Sequence, residues 1–357
     1  MATTVLQLAL PHYRQRFLDC LGEQAKDAEE LTFLVGDEQF GIGVTTAVDS
    51  PLIRRTGHNR YFAGRRLAWQ PGVVRAAVGA DRAVVELNPR LISTWVVLVA
   101  RSLLRRPTLA WGHAWPRAGQ AAKTDRLRRL VRRLCDGLIV YTYEDREALI
   151  ADGYEKPVYV APNAIARSSQ QRAIAPKMDR SSLVLIGRLV AVKKPQLAID
   201  AFRLAIPELR ESTNLLIVGD GPERDNCVAS ARDLVADGRV HFLGEVVDEQ
   251  SLAKIFGSAL ATIASGYIGL NATQSIGYGC PIVYPIGEPH APEISALDES
   301  NSLSFPQDDP AALARTMIEI ERAQARFDRE AMSQRTRELY SAERMAANFL
   351  EAIRDAR

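Results

Sequence analysis

The chain has 357 residues, 47% hydrophobic and 25% charged, with a formal net charge of +2, an ordinary globular composition long enough for two domains. Cys20, Cys135, Cys227 and Cys280 are far apart, with no Cys-x-x-Cys pair and no metal-ligand spacing to the five histidines, which excludes a disulfide framework and a zinc site. The longest apolar stretch, Leu91 to Ala100, falls short of the ~20 residues that cross a bilayer. The small net charge hides an asymmetry: residues 1–170 hold 24 Lys/Arg against 17 Asp/Glu, and the remainder 21 against 26. A basic first half suits an anionic partner or surface.

In chain order, Met1 to Pro11 lacks a basic n-region and runs straight into a strand-like segment, so it does not read as a secretory signal, and a reducing cytoplasm is expected. Strands are predicted at Val5–Ala9, Leu31–Val35, Ala83–Leu87, Thr108–Gly112, Gly137–Tyr141 and Val158–Val160. Arg54, Arg55, Arg60, Arg65 and Arg66 interleave with Tyr61, Phe62 and Trp69; without a nucleic-acid-binding motif this reads as a mobile loop, and no nucleic acid is expected as a partner. Lys123–Leu134 places Leu127, Leu130, Val131 and Leu134 on one helical face with five arginines on the others. That pattern predicts a core-facing helix with a solvated basic back, or else a helix that docks on anionic lipid at the inner face of a membrane.

The polar, unperiodic stretch Arg167–Met178 reads as a linker. After it, apolar β-branched runs alternate regularly with helical segments. Strands are predicted at Leu183–Ile186, Leu215–Val218, Val240–Leu243, Leu260–Ala264, Ile282–Tyr284 and Ser302–Phe305, with helices at Pro195–Leu209 and Arg224–Ala236. The fold class is therefore α/β, two doubly wound Rossmann-like domains with a cleft between them. The boundaries are 1–168 for the first domain, 179–335 for the second, and 336–357 for a terminal helical segment that needs an apolar surface, the first domain being one option.

Two loops of the second half follow strands and are rich in groups that suit phosphate. One is Gly187-Arg188-Leu189 followed by Lys193; the other is Ser265-Gly-Tyr-Ile-Gly-Leu-Asn271, opening a short helix. In open parallel sheets ligands sit beyond the carboxyl ends of strands, where helix N-termini present free N–H groups. Two cations and the amides of Gly269 to Asn271 would neutralise a diphosphate without a metal ion, at roughly 4 kcal/mol of Coulomb attraction per close pair before desolvation.

The order of segments Ile186-Gly-Arg-Leu189, Leu216-Ile-Val-Gly-Asp-Gly-Pro-Glu223, Val240-His-Phe-Leu-Gly244, the glycine stretch ending Gly279-Cys-Pro-Ile-Val283, and Pro292-Glu-Ile294 resembles the nucleotide-sugar-binding domain of the GT-B retaining glycosyltransferases of family 4. In the first half the likeness is thinner and rests on His113 after a strand and on Val160-Ala-Pro-Asn163. The resemblance implies a metal-independent glycosyltransferase without cofactor, taking a nucleoside diphosphate sugar to a small-molecule, glycan or lipid-linked acceptor with retention. It assigns His113, Arg188 and Lys193 to catalysis. Donor binding falls to Gly187, Gly244, Val246, Gly266, Tyr267, Ile268, Gly269, Leu270, Asn271, Gln274, His290 and Glu293, and the acceptor side to Tyr13, Arg14 and Asn163. The family's Glu-x7-Glu pair is replaced by Gly266 and Gln274, as in a bacterial subset with a Gly-rich loop. A nucleotide-sugar epimerase or hydrolase of the same fold, or a non-catalytic sugar-nucleotide sensor, stays open as an alternative.

Overall fold

The computed structural model of the chain describes residues 1–25, 30–41, 44–116, 119–120, 122–174 and 180–356. It forms two compact units, Met1–Ile165 with Ser341–Arg357, and Ala166–Tyr340. In chain order the first unit contains β1 (Ala2–Gln7), α1 (Gln15–Gln24), β2 (Glu30–Val35), β3 (Ile53–Arg55), β4 (Arg60–Phe62), β5 (Leu67–Trp69), α2 (Val73–Gly79), β6 (Arg82–Glu86), α3 (Ile92–Leu103), β7 (Thr108–Trp111), α4 (Asp125–Leu134), β8 (Gly137–Val140), α5 (Tyr143–Ala151) and β9 (Val158–Val160). Its sheet has the order β3-β2-β1-β6-β7-β8-β9 and is parallel throughout. Alternate strand residues face two separate cores. Val5, Phe33, Val84, Trp111 and Ile139 pack with α1 on one side. Leu6, Leu34, Val85, Ala110 and Leu138 pack under α2, α3, α4 and α5 on the other.

The second unit contains β10 (Ser182–Ile186), α6 (Pro195–Ala205), β11 (Asn214–Val218), α7 (Arg224–Ser230), α8 (Arg232–Ala236), β12 (Val240–Gly244), α9 (Glu249–Ser258), β13 (Ala259–Ile263), α10 (Asn271–Gly277), β14 (Ile282–Ile286), β15 (Ser302–Pro306), α11 (Pro310–Arg322) and α12 (Arg329–Tyr340). Its parallel sheet runs β12-β11-β10-β13-β14-β15, so the order reverses between β10 and β13. All six strands predicted in this half are present. The single helix predicted over 224–236 breaks at Ala231, whose backbone leaves the helical region.

The last helix, α13 (Ala342–Asp355), belongs to the first unit. Ser341 caps it by accepting from the Arg344 amide. Phe349 packs at 5.5 Å from Phe17 and 4.8 Å from Trp111, measured between ring centroids. Burying such a ring stabilises by about 1.5–3 kcal/mol, which explains why an amphipathic terminal helix docks here.

Three sequence readings are corrected. The segment read as a loop over 54–69 contains β3 and an antiparallel hairpin, β4 and β5. Asn59 Nδ2 holds it by donating to Leu8 O and Glu38 O, and the Tyr61 hydroxyl donates to Glu38 O. The linker is packed in part: Gln171 is buried and its carbonyl accepts from Arg337, while residues 175–178 lie outside the described residues.

The third correction concerns α4, whose expected apolar face is buried only in part: Val131 and Leu134 meet the core, and Leu127 and Leu130 do not. Among its residues Asp125, Val131 and Arg132 are buried while Leu127 and Leu130 are exposed. Arg132 pairs with Asp125 through both terminal nitrogens and donates to Ala114 O at 2.7 Å. Arg128 donates to the carbonyls of Leu87 and His113. Buried carbonyls left without donors would each cost ~1–3 kcal/mol, so Arg128 and Arg132 turn inward while Leu127 and Leu130 turn out and Leu134 stays packed on the core.

Candidate functional site

The second sheet concentrates polar chemistry at its reversal point, where a crevice is expected between adjacent strands. Gly187 follows β10 and Gly219 follows β11, with φ of 125° and 133°. A Cβ on Gly219 would lie 2.2 Å from Gly187 O, so only glycine lets these two turns stack. A Cβ on Gly187 would lie 2.7 Å from Lys193 Nζ, which places that ammonium directly over the first glycine.

The loop after β13 is tied to the loop after β10. Ser265 Oγ lies 2.9 and 2.8 Å from the carbonyl oxygens of Lys193 and Lys194. The Tyr267 amide donates to Val192 O at 2.9 Å, and a Cβ on Gly266 would lie 2.6 Å from that same oxygen. Gly266 is therefore the residue that permits close backbone approach. Arg188, Lys193 and the start of α10 are thus carried by two directly bonded loops.

The two neighbouring lysines have different fates. Lys194 pairs with Glu288 and Asp308. Lys193 meets no carboxylate among the described residues, and burial, then the nearby Arg188 charge, pushes its ammonium below the usual lysine range. Arg188 is exposed and also forms no ion pair among the described residues. Two adjacent cations without a counter-ion repel each other, and an anion between them removes that repulsion.

Other residues implicated by the sequence take specific places. The Gly269 amide is satisfied by Asn271 Oδ1 at 3.0 Å, so of the three amides expected to meet an anion, those of Leu270 and Asn271 open the helix. His290 braces the loop: its Nδ1 accepts from the Ile268 amide at 3.1 Å and its Nε2 lies 2.7 Å from Pro285 O. These two bonds orient the ring and make His290 a positioning residue. Glu293 is buried at the start of the 3-10 turn Pro292–Ala296. Gln274 is half-buried on α10, with no hydrogen bond from its side-chain amide among the described residues. Gly244 ends β12 with φ of 68°, and its carbonyl accepts from Gly219 N. Beside it Val246 packs on a small core, with Leu243 and Val247 exposed.

In the first unit, the implicated residues gather at the carboxyl ends of β1, β7 and β8. Tyr13 and Arg14 form a 3-10 turn after β1. Arg14 is buried with its guanidinium carbon 5.1 Å from the Trp111 ring and 5.5 Å from Tyr141, donating to Tyr141 Oη and Met345 Sδ. His113 is exposed and meets Tyr141 edge-on at 5.0 Å. Asn163 lies half-buried three residues past β9. Separately, Arg54, Arg55, Thr56, Gly72 and Arg75 line a cavity of about 620 Å³.

Sequence reasoning missed Glu86, the last residue of β6. Its carboxylate accepts from the Leu8 amide at 3.1 Å and from Asn88 at 2.9 Å. Burial, partly offset by those bonds and by the Arg128 charge, holds its carboxyl above the usual range. Arg128 is itself pushed down to about 10, chiefly by burial. A strand-final acid before Asn-Pro was the available signal. The folded state keeps the Glu86 proton to higher pH than the unfolded chain, so stability falls as pH rises from about 4.5 through the raised value. Glu86→Gln removes that slope. The variant should gain stability relative to wild type as pH rises from about 4.5 through the raised value in denaturant unfolding, and a difference independent of pH would refute this environment for Glu86.

Residues 167–339, slightly under half of the chain, match the family model described as glycosyl transferases group 1. No curated protein matches the chain. Among solved structures, the lipopolysaccharide outer core galactosyltransferase WaaB in its apo form is similar at 14% identity and a TM-score of 0.69, covering 99% of each chain. Anabaena HepE in complex with UDP is similar at 14% identity and 0.68, again over 99% of each. A Listeria monocytogenes protein described as a UDP-N-acetylglucosamine 2-epimerase is similar at 13% and 0.64, over 99% of this chain and 95% of that one. At these identities the likeness shows the fold, two Rossmann-like α/β units as in GT-B proteins.

Proposed function

We propose that this protein is a glycosyltransferase that moves a sugar from a nucleoside diphosphate to an acceptor hydroxyl, with retention and without a metal ion. The observation that carries the reading is the pair of cations with no counter-ion among the described residues, Arg188 and Lys193, on a glycine-lined turn bonded to the loop that opens α10. The glycosyl transferase family model over residues 167–339 supports it. Departure of a nucleoside diphosphate concentrates negative charge on the leaving oxygen, and preorganised donors stabilise charge that develops there. Arg188, Lys193 and the amides of Leu270 and Asn271 are those donors. Gln274 bonds the ribose hydroxyls through an amide that both donates and accepts, and the base lies against Gly244 and Val246. Tyr267 and Glu293 face the sugar, His113 acts at the reacting centre, and Tyr13, Arg14 and Asn163 serve the acceptor.

The test is incubation of the purified protein with a panel of nucleotide sugars, with and without candidate acceptors. Nucleoside diphosphate should be released faster when the acceptor is present. Conversion of the donor to an epimer without net release would instead support the epimerase reading, which the Listeria likeness keeps in view. Tight binding with neither reaction would indicate a sensor.

A further inference from the structure

The outer surface of α3 and α4 is apolar where a soluble layer is normally polar. Along α3 and its end, Val96, Val99, Leu103 and Leu104 are exposed, Leu103 by 80% and Leu104 by 55%. The spacing 96, 99, 103 puts three of them on one helical face. On the neighbouring α4, Leu127 and Leu130 are exposed by 53% and 47%, and the two helices pack against each other. Their inner faces are already used, since Val97, Leu98 and Val131 lie in the core beneath. Large aliphatic side chains left contiguous in water mark an interaction surface.

The charges around these side chains are predominantly basic. Arg105, Lys123, Arg126, Arg129 and Arg133 are exposed at the ends and flanks of the two helices. Residues 91–107 contain no Asp or Glu, and the only acid of α4, Asp125, is buried against Arg132. Exposed acids near this rim include Asp136, two residues past the end of α4, and Asp152, which meets Arg129 at 3.5 Å.

We propose that this face docks on an anionic phospholipid surface, with Leu103, Leu104, Leu127 and Leu130 entering the acyl boundary and the basic rim meeting lipid phosphates. Protein interfaces are enriched in aromatic side chains and Met at their centre. This face holds Leu and Val only. Amphipathic helices that lie in a bilayer interface combine such residues with a basic flank, and arginine stems can lie along the apolar region while the guanidinium reaches the headgroups. The inference does not depend on the reaction proposed above, because none of these residues belongs to the candidate site.

Flotation of the full-length protein tests it, using vesicles of phosphatidylcholine alone and vesicles of equal parts phosphatidylcholine and phosphatidylglycerol at low and high salt. Wild type should float with the anionic vesicles at low salt and less at high salt. Leu103→Glu/Leu104→Glu and Arg126→Glu/Arg133→Glu should each weaken partition roughly tenfold or more, with melting temperature and nucleoside diphosphate affinity unchanged because the sites are exposed. The proposal is overturned if wild type stays in solution with anionic vesicles at low salt. Equal binding to neutral vesicles, or variants that float like wild type, would also overturn it. So would a dimer, seen by light scattering, that Leu103→Glu/Leu104→Glu dissociates, since a second copy would then be the occupant.

Discussion

Arg188→Ala should lower nucleoside diphosphate affinity at least tenfold, about 1.4 kcal/mol, in calorimetric titration. Lys193→Ala should do the same or more, because the Lys193 ammonium is more buried and is held over Gly187 with no competing carboxylate among the described residues. Arg188→Lys should recover part of the loss, since it keeps the charge and gives up the fork. The pH dependence has a definite sign. Burial and Arg188 depress the free-state Lys193 value below 10.5, and a bound diphosphate favours the charged form. Affinity should therefore decline as pH rises through that depressed value, earlier than for an ordinary lysine, and the decline should vanish in Lys193→Ala. Lys194→Ala should leave affinity nearly unchanged because its charge is spent on Glu288 and Asp308. Unchanged affinity in both Arg188→Ala and Lys193→Ala would remove the diphosphate site, and with it the proposed reaction.

Arg101→Ala should cost the first unit about 3–5 kcal/mol, the range for breaking a buried charged network by removing one member. Arg101 is fully buried and pushed down to about 10, mainly by burial. It donates to Thr108 Oγ1 at 2.8 Å and to the carbonyls of Ala77, Ala80, Asp81 and Pro107 at 2.6, 2.8, 3.2 and 2.7 Å. Those oxygens end α2 and border β6 and β7, so one guanidinium joins a helix terminus to two strands. Arg101→Lys should recover only a minor share, because a point ammonium cannot span a fork of five acceptors. Denaturant unfolding of the first unit reports the effect. A loss below about 1 kcal/mol, the net worth of one ordinary hydrogen bond, would show that water replaces the guanidinium. Nucleoside diphosphate affinity should be unaffected, since Arg101 lies in the first unit.

The second unit was legible because each of its strands is a short apolar run flanked by turn residues, and parallel pairing in the middle of a sheet requires burial on both faces. All six predicted strands lie in the observed sheet. The first half was less legible. β3, β4 and β5 have three residues each, and β3 and β4 carry arginines, so no hydrophobic period announces them; their order comes from Asn59 and Tyr61 bonding to distant backbone. For α4 the helical period and the inward Val131 and Leu134 follow the sequence reading, while Leu127 and Leu130 do not. Periodicity reports where the leucines lie around the axis, while the carbonyls of Leu87, His113 and Ala114 decided which side turned inward.

What the amino-acid order determined by itself is the α/β class and the candidate phosphate turns, because both depend on neighbours within a few residues: alternation of strand and helix periods, glycine after a strand, cations beside it. Tertiary structure alone decided that Lys194 pairs with Glu288 while Lys193 meets no carboxylate among the described residues, that Gly266 admits the Val192 carbonyl, that Glu86 is held above its usual range, and that α13 returns to the first unit. Each of these depends on groups tens to hundreds of residues apart in sequence, whose approach is set by how strands order within a sheet and by which buried polar atoms lack a partner.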